Sequence, residues 1–382
     1  MTFNNFYQDK IKVLKETDLY RELKVFDNIG DKVIAYKGQK TSQKYLSFAS
    51  NDYLGLSQNK LIKKNAIEAI KKYGFGAGAS RYITGNNHLY FELEKQLAIF
   101  KKAQDALVFS SGYACAIGVI PALVGEGDLV IADKLIHSCL LDGIKLSSAK
   151  LIRFAHNDLG HCQKILQQNR SNFKKCLIVS ETVFSMDGDL GKIQELQDLA
   201  QQFQALLLSD DAHGLGLDNL KIKQLPNYHL QMGTMSKAFG AMGGYICGER
   251  TIIDYLRNFS RSQIYSTALP PCVLASCLTS LKIIQKQQLA KKALINAQFF
   301  CELMNIPITE SAIVIINLKT TKQAITIAKN ILKQGIIIAS IRPPTVATPR
   351  LRITFNALHN KLQIKKLAKI LKLELAKNKI QF

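Results

Sequence analysis

No two cysteines in this 382-residue chain stand in a CxxC pair, and none of the eight joins a CxxC…HxxxH pattern. That spacing excludes a zinc ribbon and gives no disulfide framework, so a reducing compartment is expected. No run approaches the roughly 18 apolar residues that a membrane span needs. The opening MTFNNFYQDKIKVLKE lacks the apolar core of a secretory signal and already carries acids. A cytoplasmic protein with no membrane partner is therefore expected. Internal repeats and low-complexity linkers are also missing. Acidic residues are scarce beside basic ones, 29 against 51, for a formal net charge of +22. Such a balance raises nucleic acid as a partner, but the lysines are spread along helix-like stretches and no compact basic run carries interleaved aromatics. The charge reads first as a solvated, lysine-rich surface, with steering of anionic substrates or an acidic carrier protein as the alternative.

What is present is a long alternation of short apolar runs and amphipathic stretches, the pattern of an α/β fold with a mainly parallel central sheet and helices on both faces. The runs are 106–110, 128–132, 177–180, 205–209, 229–232 and 245–247, and segments such as IQELQDLAQQF (193–203) have helical spacing. At this length more than one structural unit is expected. Residues 1–45 read as a helix and an extended segment, 46–280 as a large α/β domain, and 281–382 as a smaller α+β domain. The last opens with a helix-like stretch over 274–303 and contains the strand-like runs AIVIINL, IIIASI and RLRITF.

Polar residues cluster just after the strand-like runs. Ser111-Gly112 follows LVFS, and Asp133 with His137 follows DLVIA. Glu181 and Ser185 follow LIVS, Asp210, Asp211 and His213 follow ALLLS, and Thr234, Ser236 and Lys237 follow HLQM. In an open parallel sheet the carboxyl ends share one edge, where ligands bind. A lysine, acids, histidines and hydroxyls on one edge suit an aldehyde cofactor held as a Schiff base on Lys237. An aspartate beside the pyridine nitrogen keeps such a ring electron-accepting, and Asp210 is the candidate. Asp211, next in an extended segment, points the other way. Ser111, Gly112 and Tyr113 supply N–H groups at a helix start for a phosphate, Thr234 and Ser236 add hydroxyls, and His137 is placed to cover the ring. Singly, each has an ordinary reading: a solvated lysine, a helix cap, a turn. Jointly, in this order along one sheet, those readings lose.

The motifs SNDYLGLS (50–57), SRYITGNNHLYFELE (80–94), SSGYA (110–114), DKLIHSCLLDG (133–143), RFAHND (153–158), ETVFSMDGD (181–189), SDDAHGLG (209–216), GTMSKAFGAMGGY (233–245), IYSTALPP (264–271) and RPPTV…RLRITFNALH (342–359) resemble the α-oxoamine synthases. These are fold-type I pyridoxal-phosphate transferases that join an amino acid to an acyl thioester and lose carbon dioxide. The resemblance runs from about residue 45 to 360. It implies that Lys237 carries pyridoxal 5'-phosphate, Asp210 meets the pyridinium, His213 and Ser185 lie at the ring hydroxyl and His137 stacks on the ring. Gly112, Tyr113 and Thr234 are implied on the phosphate side, with Thr267 reaching the phosphate of the neighbouring subunit in a homodimer whose active sites lie at the subunit interface. Arg352 is implied for the amino-acid carboxylate, Arg21 and Arg342 for the thioester side or a far carboxylate, and Asn51 for a substrate carboxylate. SNDYLGLS, RFAHND, IYSTALPP and the short N-terminal region favour the branch that uses L-alanine and a pimeloyl thioester over the glycine–acetyl branch, and also over the branches that make 5-aminolevulinate or join serine to a palmitoyl donor. The carrier, coenzyme A or acyl carrier protein, stays open. The chain departs from common family wording at GFGAGASR and at ATPR before RLR.

Two other classes have some support in the sequence. Gly74, Gly76 and Gly78 raise a nicotinamide oxidoreductase, but a dinucleotide fingerprint follows a strand and opens a helix, and LIKKNAIEAIKKY before them has helical spacing. A nucleic-acid-binding protein rests on net charge alone.

Overall fold

The computed structural model describes residues 3–37, 41–216, 224–378 and 380. Two compact units result: Leu54–Ser185 with Asp189–Lys291, and Met1–Tyr53 with Met186–Gly188 and Lys292–Phe382.

The larger unit is built on a seven-stranded sheet in the order Asp105–Phe109, Gly244–Gly248, His229–Thr234, Leu206–Asp210, Cys176–Glu181, Leu129–Asp133 and Lys150–Phe154. Only Gly244–Gly248 runs against its neighbours. The pairings from His229–Thr234 out to Lys150–Phe154 are all parallel. Near-continuous apolar strands are what a sheet covered on both faces requires. Alternation sorts the side chains. Val130, Ala132, Leu177, Val179 and Leu208 pack in one core with the helices Gly112–Leu123 and Ser138–Ser147. Leu129, Ile131, Ile178 and Leu207 face a second core with the helices Leu159–Asn169 and Ile193–Gln202. The carboxyl ends of six strands thereby share one edge, and the residues picked out by chemistry follow five of them.

The smaller unit holds a four-stranded sheet, Phe26–Ile29, Lys32–Lys37, Thr41–Ser47 and Ile336–Ile337, and a three-stranded sheet, Ile313–Asn317, Arg350–Thr354 and Ala339–Ile341. The run IIIASI, expected as one strand, is divided between them. Ile336–Ile337 pairs in parallel with Leu46 and Ser47, while Ala339–Ile341 pairs antiparallel with Arg350–Thr354. Capping boxes at Thr320/Gln323 and Asn360/Gln363 start the helices Thr321–Lys333 and Lys361–Lys377. The helical stretch expected over 274–303 is two helices, Pro271–Lys286 and Leu289–Met304, parted where Gln287 takes an extended conformation. Neither glycine nor proline marks that break in the sequence.

Gly74, Gly76 and Gly78 follow the helix Lys60–Tyr73, not a strand. Among the described residues no helix is long and apolar enough to cross a membrane.

One glycine makes room for a buried ring on the neighbouring strand. At Gly233 a Cβ would stand 2.4 Å from the Tyr245 hydroxyl oxygen and 2.5 Å from its Cζ. The ring is fully buried and cannot swing away. Gly233→Ala is expected to cost about 1–3 kcal/mol through overpacking. Urea unfolding that shows no loss of stability would contradict this packing.

Candidate active site

Lys237 lies just beyond His229–Thr234, in a loop closed by Gly240 N–H donating to the Lys237 carbonyl at 2.9 Å. Gly240 has φ +64°, and a Cβ there would stand 2.3 Å from Ser57 N, so this turn accepts only glycine. Lys237 Nζ is 2.7 Å from His213 Nε2. His213 stands in the turn after Leu206–Asp210, so two adjacent parallel strands bring the lysine and the imidazole together.

Asp210 ends its strand with 5% of its surface exposed. Oδ1 accepts from Ala212 N–H at 2.9 Å, and no ion pair to Asp210 occurs among the described residues. Burial pushes this carboxyl up to about 6; Lys237 and the Ala212 N–H pull against that, and Asp211 adds to it. A buried carboxylate with no cation in contact fits a protonated ring nitrogen.

Glu181 is the register partner of Asp210 on the next strand and is also buried. It accepts from the backbone N–H of His137 at 2.5 Å and from that of Ser185. Burial, then the charge of Asp210, raise its carboxyl well above the usual range. Glu181 therefore clamps the loops that carry His137 and Ser185. Its place at a strand end was visible in the sequence, but this role was not.

His137 caps the helix Ser138–Ser147 with its own ring, Nδ1 accepting from Cys139 N–H at 3.2 Å. That bond puts the proton of the neutral imidazole on Nε2. Burial, then Lys237, lower its basicity, so the neutral form holds at pH 7. Ser111 caps Gly112–Leu123 by accepting from Ala114 N–H at 3.0 Å. Gly112 packs against Thr234, where a Cβ would come within 3.2 Å of Thr234 Cβ. The Thr234 and Ser236 hydroxyls are 2.7 Å apart. The Thr234 hydroxyl also donates to the Gly243 carbonyl at 2.9 Å, so the N–H groups of this helix start are the donors that could hold a phosphate. The Tyr113 hydroxyl donates to Asp142 Oδ2 at 2.7 Å.

Thr267 is exposed and forms a backbone bridge with Ser80; its described contacts do not include the residues around Lys237. The remaining candidates belong to the smaller unit. Arg352, 4% exposed, donates to Asn51 Oδ1 at 3.2 Å and to the Tyr53 hydroxyl at 3.1 Å. Tyr53 was not anticipated; it fixes the guanidinium from 299 positions away. Arg21 donates to Thr345 Oγ1 and Arg342 to the Tyr20 carbonyl, both at 2.7 Å. Both arginines line a cavity of about 790 Å³ with Phe26, Leu332, Ile337 and Ile338.

The model of the family described as aminotransferase class I and II matches residues 43–371. A relative from Methylorubrum extorquens (strain PA1) named 8-amino-7-oxononanoate synthase is 39% identical over 379 residues, covering 98% of this chain and 97% of its own. Serine palmitoyltransferase from S. paucimobilis, solved with bound PLP and myriocin, is 25% identical with a TM-score of 0.87 and 97% coverage of both chains. An 8-amino-7-oxononanoate synthase from Francisella tularensis has a TM-score of 0.73 at 28% identity, covering 88% of this chain and 99% of that one.

After the edge strand Lys150–Phe154, His156 is held between two carboxylates, Nδ1 3.0 Å from Asp133 Oδ1 and Nε2 2.7 Å from Asp189 Oδ2. Burial alone would lower its basicity, but the bonds and charges of Asp133 and Asp189 push it up to about 10. A raised folded value means that the stabilisation is full below the ordinary histidine range and is lost as pH rises through about 10. The stability margin of the wild type over His156→Asn is expected to be flat up to about pH 6.5 and to shrink as pH climbs to 10. Chemical denaturation across that range, with a margin that grows at high pH, would contradict the pairing.

Proposed function

The chain belongs to the aminotransferase class I and II family, and on that premise we propose the reaction it performs. It is a pyridoxal-phosphate-dependent acyltransferase that joins L-alanine to a pimeloyl thioester. The products are 8-amino-7-oxononanoate, carbon dioxide and the free thiol, a step in biotin synthesis. The observation that carries the chemistry is the contact of Lys237 Nζ with His213 Nε2 at 2.7 Å, beside a buried Asp210 that forms no ion pair among the described residues. The choice of alanine and pimeloyl rests on the names of the relatives.

When bound, pyridoxal phosphate supplies an electron-accepting ring that stabilises negative charge at the amino acid's α-carbon. Asp210 is assigned to the ring nitrogen and holds its proton in place. Lys237 would hold the cofactor through Nζ, and its amine is the base assigned to the α-proton. His213 and Ser185 are assigned to the ring hydroxyl. His137 covers the ring, and its Nε2–H is the donor available to a developing acyl oxygen. Gly112, Tyr113 and Thr234 are assigned to the phosphate. Arg352, already oriented by Asn51 and Tyr53, is assigned to the alanine carboxylate, where a planar fork makes two parallel bonds that lysine cannot.

The cavity lined by Arg21 and Arg342 supports the acyl donor: apolar walls suit a methylene chain, and the arginines suit its terminal carboxylate or the anionic carrier. Coenzyme A and an acidic acyl carrier protein both carry such charge, and a net charge of +22 would speed the encounter with either. A homodimer is part of this reading, with Thr267 serving the partner's phosphate. Exposed Phe75, Ile83 and Phe91 on the larger unit support a buried subunit contact.

The structural likeness to serine palmitoyltransferase favours a second reading, serine with a long acyl donor. A competition of alanine, glycine and serine against pimeloyl, acetyl, succinyl and palmitoyl thioesters, with products weighed by mass spectrometry, separates the readings. Alanine with pimeloyl is the expected pair; serine with palmitoyl would install the second reading. Borohydride should fix a pyridoxyl label on Lys237 and on no other lysine. Asp210→Asn is expected to lower turnover roughly a hundredfold or more.

A further inference from the structure

Behind the strand end that carries Asp210 sits a second charged pair. Lys101 closes the helix His88–Phe100, and its ammonium meets Asp211 Oδ2 in an ion pair whose side chains are only 9% and 6% exposed. A helix C-terminus favours a cation at that position. Asp211 Oδ1 accepts from the Thr182 hydroxyl at 2.8 Å, and Asp211 N–H donates to the Met232 carbonyl at 2.8 Å. Gly214 lets the turn close over this corner, for a Cβ there would stand 2.2 Å from Thr182 Oγ1 and 2.6 Å from Asp211 Oδ1. The pair is thus hydrogen-bonded and largely buried on the wall of a cavity of about 560 Å³, one residue from Asp210.

The groups facing Asp210 come from every neighbouring element. Lys237 and Asp211 act on it, and Asp210 in turn acts on Glu181 of the next strand, Cys115 and Cys139 of the two covering helices, and Tyr245 of the antiparallel strand. Burial holds both thiols and the phenol in their neutral forms, and it makes Glu181 a weaker acid than usual. Among the described residues, the full charges acting on Asp210 are those of Lys237 and Asp211, and Asp211 opposes its ionisation. Lys101 is the cation that answers Asp211.

We propose that Lys101 is a positioning residue for the cofactor site: by offsetting the charge of Asp211 and pinning its side chain away from Asp210, it leaves Asp210 as the carboxylate offered to the ring nitrogen. The inference rests on the assignment of Asp210 to that nitrogen. Removing Lys101 leaves a buried, unanswered carboxylate beside Asp210, and the cheapest relief is a proton on one of the two. Removing both charges restores the balance.

The test uses the full-length chain with aspartate labelled by ¹³C at the carboxyl carbon and the Asp210 signal assigned through Asp210→Asn. Titrations with and without pyridoxal phosphate are read beside the pH dependence of the bound cofactor's absorbance. Lys101→Met is expected to raise the Asp210 midpoint by about one pH unit and weaken pyridoxal phosphate binding about tenfold. Asp211→Asn should move the midpoint down, and Lys101→Met/Asp211→Asn should return both readings close to wild type. Lys101→Arg keeps the cation and should leave the midpoint unchanged, which guards against a Lys101→Met chain that fails to fold. An Asp210 midpoint unaffected by Lys101→Met, or a double variant no better than Lys101→Met, overturns the proposal. A wild-type chain that binds no pyridoxal phosphate overturns the functional reading instead, and the titration series without cofactor still reports on Lys101.

Discussion

Glu181, Asp210 and Asp211 are buried together at the ends of two adjacent strands, and the surrounding structure answers the cost of placing that charge there. An isolated carboxylate taken out of water is so unfavourable that it must be paired, hydrogen-bonded or neutralised. Each of the three meets this differently. Asp211 takes an ammonium and a hydroxyl from Lys101 and Thr182. Glu181 takes two backbone N–H groups and binds its proton more tightly than usual. Asp210 has one N–H bond and the field of a lysine, so it is the one of the three with room for a cation from outside the chain.

The sheet makes this possible because its alternation separates neighbours. Asp210 falls in line with Leu208, whose face carries the helices that bear the candidate phosphate cradle and the His137 cap. Asp211 turns toward Lys101. Adjacent carboxylates on a helix would crowd one side; at a strand end they serve opposite sides. The same geometry explains why the clamp made by Glu181 matters, since one side chain ties together two loops that leave different strands. His156 does a similar service between Asp133 and Asp189, with a charge that persists through neutral pH.

The smaller unit follows another logic. Arg350 and Arg352 lie two apart on one strand and so share a face, but their partners differ. Arg350 bonds Asp187 Oδ1 at 2.6 Å and the Met186 carbonyl at 3.0 Å, joining the short insertion to the sheet. Arg352 is held by a phenol and an amide oxygen. Arginine alternation in RLRITF was plain from the sequence, but the different duties of the two guanidiniums were not.

The sequence by itself determined the class of fold and the chemical types at the working edge. Short apolar runs separated by helical spacing require a covered parallel sheet, and polar residues that interrupt such runs fall at strand ends. Lys237, Asp210, His213 and His137 were legible for that reason. Tertiary structure decided whatever depended on partners far away in the chain. Lys101 looks like any surface lysine until the fold brings it to Asp211, 110 positions on. Tyr53 becomes a clamp for Arg352 only across 299 positions. IIIASI is one apolar run in sequence, yet two sheets divide it. Propensity and periodicity act over a few residues, whereas ion pairing, strand partnership and burial are set by which distant segments the sheet order places side by side.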